Sequence, residues 1–172
     1  GFIGSPAMNL LQGSLEADGD GDGARLALGD QTLAVPGPLL AERPALRGYI
    51  GRGVAVGIRP EDMEDAELDG ARDGAVLDST TELVEALGSE LLVHFRITAA
   101  PVVTEDTKEL ARDAGADGLP AEAASSGLIA RFSPRSRTAI GHPVRVRVDT
   151  GRLYFFDPVT GAGIWGDPAP AQ

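Results

Sequence analysis

Two segments of this chain alternate with a period of two, and that pattern constrains the fold more than any other feature. Val144, Val146 and Val148 are separated by Arg145 and Arg147, and Leu91, Val93, Phe95 and Ile97 are separated by Leu92, His94 and Arg96. A period of two places apolar side chains on one face of an extended strand and polar ones on the other. Both segments therefore predict strands of an antiparallel sheet with one buried face.

Punctuation by glycine and proline extends the pattern. The 172 residues include 23 Gly and 12 Pro, which favours many short elements joined by turns over a few long helices. Residues 10–15, 25–28, 31–35, 54–58, 90–97, 128–132, 144–148 and 153–156 read as short strands. Residues 76–87 read as one long bent strand. Residues 39–46 have room for a helical turn interrupted by Pro44. The acidic run 62–74 is expected to be solvated. Residues 99–127 differ in kind: 104–114 can form a short acidic helix, and 118–127 is rich in Ala, Ser and Gly, so the stretch reads as an insertion on a β scaffold. Seven to nine short strands point to a β-barrel or sandwich.

Composition excludes several functions. The formal net charge is −11, a field that repels nucleic acid and anionic membrane surfaces. Cysteine is absent, which removes disulfides and thiolate metal sites. No run approaches the ~18 apolar residues of a membrane span. No signal peptide is read at the start, and the opening without Met suggests a fragment boundary.

Motif chemistry is mostly negative. A P-loop places a lysine on the β/γ-phosphates within G-x-x-x-x-G-K-[ST]. The single lysine, Lys108, sits in Thr107-Lys108-Glu109, with no glycine before it and no hydroxyl after it. No Rossmann fingerprint and no G-x-S-x-G is present. Asp18-x-Asp20-x-Asp22-Gly23 matches the first half of a calcium loop, but the twelfth position, where a bidentate acid belongs, is Gly29. A solvated hairpin turn is the simpler reading. No catalytic, cofactor-binding or metal-binding residue is nominated.

Contact candidates remain. Arg59-Pro60-Glu61 closes a strand; it reads either as a proline stop with an exposed ion pair, worth about 0–1 kcal/mol, or as a segment in which Arg59 or Glu61 orders a loop or meets a partner. His94 lies on the polar side of its strand. Arg135 and Arg137 lie in loop 133–137, within a sequence cluster that also holds Arg131, Arg145 and Arg147.

Four segments, in order, resemble the ATP-binding subunits of maltose- and multiple-sugar-type ABC importers. Gly1-Phe2-Ile3-Gly4-Ser5-Pro6-Ala7-Met8-Asn9 is similar to the junction after their nucleotide-binding domain. Val56-Gly57-Ile58-Arg59-Pro60-Glu61 resembles their GIRPE segment, Val84-Glu85-Ala86-Leu87-Gly88-Ser89-Glu90 their VE-x-LG stretch, and Leu153-Tyr154-Phe155-Phe156-Asp157-Pro158-x-Thr160-Gly161 their closing LHLFDPETG.

The resemblance implies a mainly β fold: an OB-type Greek-key β-barrel of the TOBE or molybdate-binding-protein-like kind, with a short helical insertion at 99–127. It implies a hinge at 1–9, a regulatory domain at 10–165 and a tail at 166–172. It also implies a non-catalytic regulatory and dimerisation domain, with ATP and Mg confined to a preceding domain and no cofactor of its own. The implied partners are a second copy of the same subunit, the transporter's membrane subunits and a regulatory protein, at the cytoplasmic face of the membrane. The alternative is a β-barrel that senses a small ligand, a sugar or an oxyanion. OB barrels elsewhere bind oligonucleotides through basic, aromatic grooves; with a charge of −11 and aromatics at 5%, protein contact fits this chain better.

Overall fold

The computed structural model describes residues 7–19, 21–69, 74–102 and 125–165. They form ten strands in chain order: β1 (Asn9–Ala17), β2 (Ala24–Leu28), β3 (Gln31–Val35), β4 (Gly53–Ile58), β5 (Met63–Asp65), β6 (Val76–Ala86), β7 (Leu91–Ile97), β8 (Ser126–Phe132), β9 (Pro143–Val148) and β10 (Tyr154–Phe156). One sheet has the order β10-β4-β1-β2-β3 and the other β5-β9-β6-β7-β8, and the strand pairings within them are antiparallel. The fold is mainly β and of the OB type, as expected. The helical turn expected at 39–46 is α1 (Gly37–Glu42) followed by a 3-10 turn (Pro44–Tyr49). Pro44 lacks the N–H that would continue α1.

The two alternating segments are β7 and β9. Val93, Phe95 and Ile97, and Val144, Val146 and Val148, are buried, while Arg96 and Arg145 are exposed. Their apolar faces join Leu11, Leu15, Leu26 and Leu33 of the other sheet in one core. The bend expected in 76–87 also has a cause. Val76–Thr80 of β6 pairs with β9, and Thr81–Ala86 pairs with β7. The register shifts between Thr81 and Leu83; such a bulge lets one strand serve two neighbours at different angles.

Side chains tie the two sheets together. Asn9 Nδ2 donates to the Ile58 carbonyl at 2.9 Å and to the Ile129 carbonyl at 3.0 Å, and the Ile129 N–H donates to Asn9 Oδ1 at 2.8 Å. Gln31 exchanges two hydrogen bonds with the backbone of Asp78, at 2.8 and 2.7 Å. Gly29, at the β2–β3 turn, has φ +62°, and a Cβ there would run into Thr98. The glycine that ended the calcium-loop match is thus required by backbone conformation and by close approach.

The acidic run at 62–74 is not uniformly solvated. Asp62, Met63, Asp65 and Ala66 are buried, because Met63–Asp65 pairs with Val146–Val148 of β9. Alternation over three residues is too short to mark a strand among acids, and the pairing partner lies about 80 positions away in sequence. At the insertion, β8 already begins at Ser126, whose hydroxyl donates to the Ala99 carbonyl at 2.8 Å. The helix expected at 104–114, most of the Ala/Ser/Gly stretch, the first part of the hinge and the tail lie outside the described residues.

Candidate functional site

The residues singled out in sequence distribute over separate parts of the surface. Arg59 is the first residue beyond β4 and precedes the 3-10 turn Pro60–Asp62. It makes no ion pair with Glu61. Its guanidinium instead lies over the Tyr154 ring, 4.8 Å from the centroid, because Tyr154 on β10 is in register with Gly57 on β4. Glu61 faces a cleft of about 440 Å³ that Arg135 also lines, together with Glu64, Glu90, Arg131 and Arg147. Arg137 faces a second cleft of about 550 Å³ beside His142 and Arg145. His94 stands apart, with Nε2 hydrogen-bonded to Glu85 Oε1 at 2.6 Å across the β6–β7 pair.

The loop that carries Arg135 and Arg137 is anchored by acids of β5. Both carboxylate oxygens of Glu64 accept from the Ser133 N–H, at 3.0 and 3.1 Å. Asp65 Oδ2 accepts from the Ser136 hydroxyl at 2.6 Å. The hydroxyls of Thr81 and Thr138 meet at 2.6 Å. The sequence cluster of arginines is largely neutralised: Arg131 pairs with Glu90 at 2.6 Å, Arg147 with Asp69 at 2.8 Å and Arg145 with Asp78 at 3.4 Å.

Two features were not singled out in sequence. The first centres on Asp157. Its Oδ2 accepts from the Tyr49 hydroxyl at 2.6 Å, and its Oδ1 accepts from the N–H groups of Val159 and Thr160 at 2.8 and 2.9 Å. The Tyr49 hydroxyl and these backbone donors hold its pKa down to about 2, below the ordinary 3.8; the same contact with the carboxylate pushes Tyr49 up. The second is an aromatic ribbon. Arg43 lies 4.1 Å from the Trp165 ring centroid and 5.5 Å from that of Tyr154, and the two rings meet edge to face at 6.0 Å. Burial lowers the pKa of Arg43. The signal available in sequence was scarcity: with one Trp and two Tyr in the chain, where each of them lies carries information.

Among the described residues no group of three or more His, Asp or Glu side chains is placed to hold a metal ion. None of the described helices is long and apolar enough to cross a membrane.

Two curled antiparallel sheets over one apolar core, with charged and aromatic side chains along the rim, define an OB-type domain. The same fold is seen in a structure of the cytoplasmic molybdate-binding protein ModG with molybdate bound, at a TM-score of 0.50 and 13% identity, covering 87% of this chain and 96% of that one. Residues 4–63 match the family described as the MalK OB fold domain.

Similar full-length proteins are ATP-binding subunits of sugar importers. The trehalose import ATP-binding protein SugC of Mycobacterium tuberculosis is 33% identical over 172 residues, covering 95% of this chain and 39% of that protein. The trehalose/maltose import ATP-binding protein MalK of Thermococcus litoralis is 32% identical over 169 residues, 96% of this chain and 36% of that one. The sulfoquinovosyl glycerol transport ATP-binding protein SmoE of Agrobacterium fabrum is 31% identical over 161 residues, 93% and 34%. The chain therefore spans less than two fifths of the length of the curated relatives it matches.

Proposed function

We propose that this chain is a non-catalytic accessory domain of the ATP-binding subunit of a carbohydrate importer, and that it works by protein contact. One observation carries the reading: the importer subunits align along nearly all of this chain and under two fifths of themselves, while the 172 residues hold no P-loop. ATP and Mg would belong to the remainder of such a subunit. The partners are a second copy of the subunit, the membrane subunits of the transporter and a regulatory protein, at the cytoplasmic face. Calorimetry with Mg·ATP should give no saturable heat; a micromolar nucleotide site would overturn the non-catalytic reading. Sedimentation should show concentration-dependent self-association, and a strict monomer at high concentration would remove the pairing role.

The alternative reading, a small-ligand sensor, draws on the cleft shared by Glu61 and Arg135. Two of its arginines are already ion-paired, and its acids outnumber its arginines, which opposes an oxyanion. A neutral polyol, able to donate to carboxylates and accept from guanidiniums, suits it better. A ligand that binds only the native state raises Tm, so a thermal-shift screen with trehalose, maltose and molybdate separates the readings. A saturable rise with either sugar would favour the sensor.

A further inference from the structure

The chain contains two tyrosines and one tryptophan, and an arginine lies over every one of them. Arg52 covers Tyr49 at 4.9 Å, Arg59 and Arg43 flank Tyr154 at 4.8 and 5.5 Å, and Arg43 covers Trp165 at 4.1 Å. Such pairs occur roughly once per 70–80 residues, so four of them around β10 and the adjoining 3-10 turn is a local concentration. The Tyr49–Asp157 hydrogen bond joins the Arg52–Tyr49 pair to the rest.

These arginines, like Arg47, Arg135 and Arg137, make no ion pair with a described residue, unlike the other six described arginines. Arg25, Arg96, Arg131, Arg145, Arg147 and Arg152 all have a carboxylate within 4 Å, whereas none of the described residues offers one at that distance to Arg43, Arg52 or Arg59. Acids are near, Glu42 beside Arg43 and Glu61 beyond Arg59, but none closes an ion pair. A guanidinium held over a ring by its positive charge keeps N–H donors for an acceptor. Trp165 is 54% exposed.

We propose that this ribbon is a docking surface for an acidic segment of another protein. The guanidiniums over these rings take its carboxylates in charge-assisted hydrogen bonds, and Trp165 receives a neighbouring apolar side chain. Charge complementarity selects the occupant. The net charge of −11 acts against any anion, and the local group of three guanidiniums outside ion pairs offsets it for a segment that reaches several of them at once. The exposed tryptophan adds apolar area that an inorganic anion does not use, and Trp, Tyr and Arg are the residue types that dominate protein interfaces. That a partner protein exists rests on the function proposed above; the surface rests on the ring geometry alone.

The test is fluorescence anisotropy on the 172-residue chain with a labelled peptide of alternating Glu and Leu, its Lys-for-Glu counterpart, and inorganic phosphate as competitor. The expected result is saturable binding of the Glu peptide, weakened by salt, and no binding of the Lys peptide. Arg59→Gln and Arg43→Gln should each weaken binding about tenfold or more, since a hydrogen bond to a charged group is of that strength. Trp165→Ala should weaken it as well. Arg59 is exposed, so its variant carries the test even where Arg43→Gln fails to fold. Absence of binding, equal binding by the arginine variants, or displacement by phosphate at equal charge would each overturn the proposal. A monomeric chain that binds the Glu peptide removes the pairing role and leaves this surface standing; a self-associating chain that does not bind it does the reverse.

Discussion

The Tyr49 hydroxyl donates a 2.6 Å hydrogen bond to Asp157 Oδ2, joining two residues 108 positions apart. The bond links the 3-10 turn Pro44–Tyr49 to the turn after β10, where the other oxygen of Asp157 already receives two backbone N–H groups. Tyr49→Phe removes the largest of the interactions that hold the Asp157 carboxyl at about 2. A carboxyl depressed in the folded state adds stability above its unfolded value, and that stability is lost as pH falls through the folded value. The variant should therefore melt at a lower temperature at neutral pH. The gap to the parent should narrow as pH falls from about 4 towards 2, and carbon-detected NMR should show Asp157 titrating closer to the ordinary range.

Asp62 runs the other way. Burial, then the neighbouring Glu61 carboxylate, raise its pKa. A raised carboxyl adds stability below its unfolded value and loses it as pH rises through the folded value, so the ionised form weakens the fold at neutral pH. Asp62→Asn should raise Tm at neutral pH and give no gain below the ordinary carboxylate range. Thermal melts across pH measure both arms.

Gly29→Ala forces a β-carbon onto Thr98 at a backbone φ of +62°. The strained conformation alone costs about 1–3 kcal/mol, and the collision adds to it. Urea denaturation should show a lower midpoint with an unchanged slope.

Asn9→Ala leaves the Ile58 carbonyl and both backbone groups of Ile129 without their shared partner. An unmatched part-buried polar group costs about 1–3 kcal/mol. Because Asn9 bridges β4 and β8, hydrogen exchange should quicken at Ile129 before it quickens within β1 and β2.

The strands were legible where alternation ran long enough. Residues 90–97 and 144–148 declared both their state and their buried face, and the bend within 76–87 was visible as a change of pattern. β5 was not, because three residues among acids carry no period and its burial comes from β9. The candidate contacts were legible only as residue types. Arg59 was marked by its place after a strand, but its partner is Tyr154, not Glu61. Arg135 and Arg137 were marked as a pair, yet neighbours on one loop can face different clefts, as these do.

The amino-acid sequence by itself determined the β class, the turns and the lack of a P-loop, since periodicity, glycine, proline and a single lysine are local properties. Its ordered motifs also carried the resemblance to sugar-importer ATP-binding subunits, to which the chain is similar along nearly all its length. Only the tertiary structure decided which acids are buried, which arginines are neutralised and which lie over rings. Those outcomes depend on contacts between residues such as Tyr49 and Asp157, or Arg43 and Trp165, whose separation along the chain leaves no trace in any local pattern.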